Sequence, residues 1–590
     1  MLRHRCFFLA AFLLGIALAL PSLRVGFVAD DYTFIQRLEH AAPAPTWSLY
    51  EFATGEPGTR ASVMSSRWLA SPWWMGGDFK LRFLRPVASA LLALDHSLFG
   101  RSPLGYHVHS LLWYALLLAG VGLLLRLVCS SPIRQVAFAL FVLSAAHAEP
   151  VGWISSRHLL VASAPAMLGL VALIARRERG FRWGLPLGLA GMGLWLAGSE
   201  AALAVICYWL AYEALAEPKG EAAPTLRSRL ARAALPIACV AAYGALYKGL
   251  GYGASGSAGY LDPISAPRAY WLSLPGRLAM LLGEAFAGFP ANLSLTTLPG
   301  PGVALGVAFT LAIVLGCWSI WPRVAVAERR TLLWLSVGAG LGLIANAGAV
   351  LGSRLLLVPG LGLSVVLATL LCHGWRATAS ALGSSARKTL LASLVLIHVV
   401  AAPLLFLLNG YLLAQLGRQW DAVDESLDAH FASLRAQALQ PPKVFVLAAS
   451  DPFAGFYTAS VRGARAPDST AQWSILSMTR GTHRVVRTGL AELTIQSDLG
   501  LLRSTFEGLF RASTKTFRAG ERAALEGAFV TVLAVSRGEP TAISLTLTRG
   551  TFDDDAICLL AWRSSQLVPV HLALHEAMTI PWSPGPTRFL

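Results

Sequence analysis

Two adjacent carboxylates, Asp30 and Asp31, end the stretch RVGFVADD, which follows directly on the apolar run CFFLAAFLLGIALALPSL. An ionised acid at the edge of hydrocarbon is costly, so acids at a membrane boundary are candidates for function. The plainer reading is a helix stop solvated by water and headgroups. Other polar groups fall at matching ends of other apolar runs: Arg85 ahead of PVASALLALDHSLFG, His107, the turn HAEPVGWISSRH with His147, Glu149 and Arg157, then Glu200 and Arg354. Polar groups at one depth on many helices imply a shared aqueous cavity. Such a mix suits cleavage of a sugar from a lipid-carried glycosyl phosphate. Arginines at the surface would hold the phosphate through paired donors and stabilise its growing charge. The leaving phosphate needs no proton. One carboxylate, however, must take the proton from the acceptor hydroxyl, within about 2.6–3.2 Å, while its neighbour orients the acceptor or holds a divalent metal.

The elements that would position these groups are set by composition. Of 590 residues, 55% are apolar and 14% charged, with a mean hydropathy of +0.57. A soluble chain of this length carries about a quarter of its residues as charges; here apolar runs of about 17–25 residues recur, each able to cross about 30 Å of hydrocarbon. The expected class is a polytopic α-helical membrane protein. Spans are predicted at 6–23, 104–126, 134–148, 159–175, 183–199, 201–216, 233–249, 302–321, 331–351, 354–373 and 389–415. The formal charge of +16 resides in alternate short loops: Arg3 and Arg5; Arg126 and Arg134; Arg176 to Arg182; Lys219, Arg227, Arg229 and Arg232; Arg323, Arg329 and Arg330; Arg376, Arg387 and Lys388. By the positive-inside rule these are cytoplasmic, which puts the N-terminus inside and the C-terminus outside. The basic excess therefore reports topology, and no nucleic-acid partner is expected. The first run is read as a retained helix rather than a cleaved signal. The run 269–289, with Arg277 and Glu284, is read as an amphipathic helix on the outer surface.

Three outer segments follow: the long first loop from Arg24 to about Gly105, the short turn His147 to His158, and the loop Gly251 to Trp271, whose glycines predict mobility. From Gly417 onward charge is nearly balanced, with about 17 basic and about 16 acidic residues. Alternating stretches such as KVFVLAAS, AELTIQS and AFVTVLAVSRGEPTAISLTLTRG predict strands, with SRGEP as a hairpin turn and LGLLRSTFEGLFRAS as a short helix. The expected organisation is a membrane domain over 1–415, a helical linker over 416–440 and a C-terminal α+β or β-rich extracytoplasmic domain over 441–590. Six of the seven cysteines lie in or at the ends of apolar helices and only Cys558 in the tail, so no disulfide framework is expected. His107, His109 and His147 are too scattered for a metal cluster. Asp553, Asp554 and Asp555 read as a turn, as does Asp262.

Five pieces, in order over roughly residues 1–375, resemble the GT-C superfamily of membrane glycosyltransferases, and within it protein O-mannosyltransferases and the transmembrane mannosyltransferases that carry tetratricopeptide repeats. They are FVADDY, LRPVASALLALDHSLFGRSPLGYHV, HAEPVGWISSRHLLV, GSEAAL and SRLLLVPGLG. The resemblance implies a GT-C-like membrane core that transfers a sugar, with inversion, from a polyprenyl-phosphate donor to an extracytoplasmic protein, glycan or lipid acceptor. Carried over by position, it makes Asp30 and Asp31 the candidate catalytic acids and assigns Glu149, Arg157 and Arg354 to the donor side with Arg85; His107, His147 and Glu200 are further candidates. The chain departs from the pattern at Ser144 and Ala145 (usually His-Pro), at Leu159 (usually an acid), at Ser110 (usually Asn) and in RLLLVP, which lacks the family's tyrosines. No tetratricopeptide repeats follow. Simpler roles exist: Arg157 and Arg354 as headgroup-level anchors, and Glu200 as a helix cap.

Three functions compete. The first is a polyprenyl-phosphate-sugar-dependent hexosyltransferase of a bacterial cytoplasmic membrane. The second is a non-catalytic scaffold whose tail binds cell-envelope glycan or a protein. The third is a transporter of lipid-linked sugar, for which matching internal halves are expected and not seen. Asn at both aspartates separates the first two.

Overall fold

The computed structural model describes residues 2–40, 45–56, 70–217, 225–292, 299–375, 381–437, 442–465, 471–503 and 506–587. Lys219 and Arg376 of the predicted cytoplasmic loops lie outside these ranges. Six helical segments are long and apolar enough to cross a membrane: Cys6–Arg24, Pro103–Val128, Ile154–Arg179, Leu226–Gly249, Gly300–Arg323 and Ser385–Ser433. The predicted run 134–148 is a pair, Ser131–Val142 and Ala145–Gly152, bent by 49°, and counts as a seventh if it is one span. Ser144 causes the break by accepting a hydrogen bond from the Ala146 amide and so capping a new turn. The other four predicted runs hold helices too, Gly184–Leu196, Leu203–Leu215, Val326–Asn346 and Gly360–Gly374. Three are short, and the fourth opens on Glu328, Arg329 and Arg330. By length and composition alone, six helices, or seven counting the bent pair, qualify as spans among the described residues.

Small residues let these helices approach. A Cβ on Gly191 would sit 2.6 Å from the Pro165 carbonyl oxygen, and one on Gly283 would sit 2.9 Å from that of Gly302. Both are close backbone approaches of the kind that membrane helices use in place of hydrophobic burial. The predicted surface helix, Pro267–Ala287, packs through this second contact on the helix Pro299–Ile320. Its Arg277 donates to the Ala347, Ala349 and Gly259 carbonyls.

Among the described residues fourteen strands follow in chain order: β1 (Glu51–Thr54), β2 (Ser71–Pro72), β3 (Lys80–Arg82), β4 (Gly253–Ser255), β5 (Lys443–Ala448), β6 (Gln472–Ile475), β7 (His483–Arg487), β8 (Glu492–Ser497), β9 (Arg522–Leu525), β10 (Ala528–Ser536), β11 (Glu539–Leu547), β12 (Ile557–Arg563), β13 (Gln566–Pro569) and β14 (Ala577–Ile580). They form sheets ordered β1-β3-β4, β14-β7-β8-β11-β10-β9 and β13-β12-β5-β6-β2. The hairpin at SRGEP closes as expected, with Ser536 opposite Glu539. Arg537 and Gly538 occupy its two left-handed positions, at φ 54° and 83°. The predicted helix LGLLRSTFEGLFRAS is instead a single short turn, Glu507–Phe510, in its described part. The glycine-rich loop expected to be mobile is tied into the sheet through β4, and Ala258 and Leu261 donate to the Gly508 and Gly348 carbonyls.

The tail does not stand apart from the loops. Strand β2, from the first loop, extends the tail sheet in parallel with β6. Trp73 and Trp74, each 1% exposed, donate their indole N–H groups to the Leu476 and Glu507 carbonyls. The helix Ala402–Gln437 runs unbroken from the last apolar span into the tail, where Trp420 and Phe431 enter the same apolar core.

Candidate functional site

The strap Gly26 to Ala29 carries the aspartates out of the first span, and side chains from neighbouring elements fix its course. His107 Nε2 donates to the Gly26 carbonyl at 3.0 Å, and Trp153 Nε1 donates to the Val28 carbonyl at 3.0 Å. Ala29 is held in the left-handed region, at φ 50°, a cost that a residue with a Cβ bears only where its surroundings enforce it. The helix Asp30–His40 then starts with both acids in its first turn, where the helix dipole favours negative charge.

The two aspartates have different surroundings. Asp31 is 2% exposed. It accepts from the Val28 amide at 2.9 Å, from the Ser155 amide at 2.7 Å and from the Ser155 hydroxyl. Its carboxylate is consumed in joining the strap to the turn at Ser155. Asp30 is only partly buried and, among the described residues, accepts one hydrogen bond, 3.0 Å from the Tyr457 hydroxyl of the tail. Burial pushes both carboxyls up, Asp30 to about 6 against the Tyr457 bond and the Arg354 charge, and Asp31 to about 7 against its donors.

Arg354 pairs with Glu149 and stands within electrostatic reach of Asp30. Arg85 forms a two-point pair with Glu200 and lies over the Tyr50 and Phe83 rings, 4.9 and 4.3 Å from their centroids. Burial opposes the charge of Arg85, and Glu200 more than offsets it. Tyr260 links the two pairs, being within electrostatic reach of Arg354, Arg85, Asp30 and Glu200. His158, which shares a 2.9 Å hydrogen bond with the Ser199 hydroxyl, is within electrostatic reach of both arginines. Asp30, Glu149, Arg354, Arg85 and Glu200 therefore share one polar region.

The remaining candidates lie elsewhere. Arg157, 1% exposed, pairs with Asp95, also 1% exposed, and donates to the Tyr106 carbonyl. Asp95 also accepts 2.7 Å from His109 Nδ1, whose Nε2 accepts from Trp113. Arg157 is thus part of a buried network that locks the helix Pro86–Phe99 to its neighbours. His147 is 1% exposed, with its Nδ1 3.0 Å from the Tyr114 hydroxyl. His107 serves the strap. Among the described residues no group of three or more His, Cys, Asp or Glu side chains converges as a metal site.

Sequence reasoning passed over Tyr457, Ser155 and Tyr260. Tyr457 lies 427 positions from Asp30, and nothing in its own stretch marks it. Asp95, a lone acid in an apolar helix, carried the same signal as Asp30.

No protein-family model and no curated protein matches the chain. Among solved structures, the chain is similar to the oligosaccharyltransferase of Archaeoglobus fulgidus tethered with an acceptor peptide, at 12% identity and TM-score 0.36 over 79% of this chain and 63% of that one. It is also similar to AglB of that organism in complex with an inhibitory peptide and a dolichol-phosphate (13%, TM-score 0.37, 79% and 64%), and to the oligosaccharyltransferase in complex with Zn and sulfate (12%, TM-score 0.33, 78% and 62%). The chain spans less than two thirds of the length of those proteins.

Proposed function

We propose that the protein is a multi-pass membrane glycosyltransferase of GT-C type that moves a sugar from a polyprenyl-phosphate donor to an extracytoplasmic hydroxyl acceptor, with inversion. One observation carries the reading: Asp30 is the only member of the acid pair with a largely uncommitted carboxylate, and it stands near Arg354. In this scheme Asp30 takes the acceptor proton as the acceptor oxygen attacks the anomeric carbon, and Tyr457 orients it. The bond to the phosphate oxygen breaks on the opposite face, and Arg354, with Arg85 beyond it, stabilises the departing charge. Asp31 and Arg157 are positioning residues, not donor ligands. The first loop and the tail lie outside the cytoplasm, and the membrane is the cytoplasmic membrane of a bacterium.

The scaffold reading draws on the fact that Arg85 and Arg354 are already neutralised by Glu200 and Glu149. Complementation of a deletion strain distinguishes the two. Wild type restores surface glycosylation and Asp30→Asn does not, at equal protein level in the membrane. Full rescue by Asp30→Asn would remove the catalytic reading and leave the scaffold.

A further inference from the structure

A cavity of about 370 Å³ lies on the other side of the helix Asp30–His40 from Asp30, lined in part by Arg24, Arg101, Arg418, Arg465, Tyr32 and Asp421. Tyr32 follows Asp30 by two residues and so stands about 200° round the helix axis. Four guanidinium groups thus meet one carboxylate in the lining. Arg101 is held by Glu39, at 2.8 and 2.6 Å, and Arg465 pairs with Asp421. Arg24 and Arg418 are exposed, and neither pairs with a carboxylate among the described residues. Backbone shapes the rest of the cavity. Gly26 takes φ 81°, and a Cβ on Gly417 would meet the Val25 carbonyl oxygen at 3.2 Å.

The position of the cavity is as informative as its charge. Arg24 ends the first span, Pro103 opens the second, and Arg418 lies on the last, where that helix leaves its apolar part. Three spans converge where lipid phosphates lie, and interfacial basic pockets between spans are where anionic headgroups are held. Clustered like charges repel, and a bound anion relieves that repulsion; guanidinium groups suit phosphate because they offer paired donors. We propose that this cavity is an anion site for a phosphate group, either the headgroup of an acidic phospholipid or free phosphate, separate from the Asp30 region and independent of the function proposed there.

The test uses the full chain in nanodiscs of phosphatidylcholine with or without phosphatidylglycerol, and of phosphatidylcholine in phosphate or chloride buffer at matched ionic strength. Lipid retained is read by native mass spectrometry, and stability by thermal shift. Retention of phosphatidylglycerol falling on the order of tenfold in Arg24→Gln/Arg418→Gln supports the site and makes lipid its source. A phosphate-dependent stabilisation lost in that variant supports the site with free phosphate as its source. If neither anion distinguishes wild type from the variant, the proposal is overturned. Should the double variant not fold, Asp421→Asn is compared instead. The prediction there is reversed, with tighter retention of one of the two anions, and an unchanged response to both overturns the proposal. Asp30→Asn leaves the response intact, so failure of the catalytic reading and failure of this one are distinguishable.

Discussion

Asp30 and Asp31 are chemically identical, and their surroundings predict different responses to Asn. Folding raises the Asp30 carboxyl from 3.8 to about 6. The sign follows from linkage: stability from this group is fully present below pH 3.8 and is lost as pH rises through about 6, because burial then confines a charge. Asp30→Asn is expected to stabilise the protein at pH 8, by on the order of 1–2 kcal/mol after allowing for its partial exposure, and to have no effect near pH 4. Asp31→Asn replaces one of two accepting oxygens with an NH₂ group and leaves the Val28 amide or the Ser155 donors unmatched. That mismatch costs about 1–3 kcal/mol and is expected to show as a destabilisation near pH 4, where the folded carboxyl is protonated, while at pH 8 it is offset by relief of a carboxylate that burial raises to about 7. Thermal unfolding of both variants across pH checks the pair. In a transfer assay Asp30→Asn lowers turnover by roughly 10²–10⁴ if it removes a general base. The sequence showed that this boundary is polar; it could not show which acid was free, because that depends on Ser155, 124 positions away, and on Tyr457.

Elements decide how the site is held. Tyr457 ends the turn Phe453–Tyr457, and the helix Thr458–Arg465 that follows packs on the helix Asp30–His40 through Thr33 Oγ1 to Ser460 Oγ at 3.2 Å. The Tyr457 bond lowers the Asp30 carboxyl against its burial, so Tyr457→Phe raises it. The acid limb of a transfer pH profile, expected near pH 6 in wild type, should move to higher pH, with a stability loss of only about 0.5–1.5 kcal/mol. An unmoved limb would mean that Tyr457 does not act on the ionisation that controls transfer. Packing between membrane helices gives a second expectation. A Cβ on Gly306 would collide with the Ala279 carbonyl oxygen, so Gly306→Ala must separate the helices Pro267–Ala287 and Pro299–Ile320. Overpacking of this kind costs about 1–3 kcal/mol, read as a lower melting temperature in detergent. Helices were legible wherever apolar runs were long, and the hairpin at Arg537-Gly538 was legible from its turn residues. The Glu507–Phe510 region was not, because its apolar residues Phe506, Leu509 and Phe510 pack under the first loop rather than along a helix face.

At the scale of the molecule, the first loop and the tail form a single folded unit over the membrane helices, although about 370 residues separate β2 from the start of β5. Hydropathy could not reveal that union, since period and polarity mark strands but not partners so distant in sequence. The union makes the site depend on the tail: Asp30 issues from the first span, while its hydrogen-bond donor Tyr457 issues from the turn after β5. Trp73 fastens the two parts by its bond to Leu476 and its contact with Phe517, 5.6 Å between centroids. Trp73→Ala removes that anchor, at a cost of about 3–5 kcal/mol. Because the lost contacts lie between loop and tail, opening should be local rather than global. Limited proteolysis is then expected to cut within the tail well before the membrane helices, and transfer should fall with it, although Trp73 lies outside the polar region around Asp30. Loss of transfer without faster cleavage of the tail would contradict this coupling. Faster cleavage with transfer intact would show that Asp30 works without Tyr457.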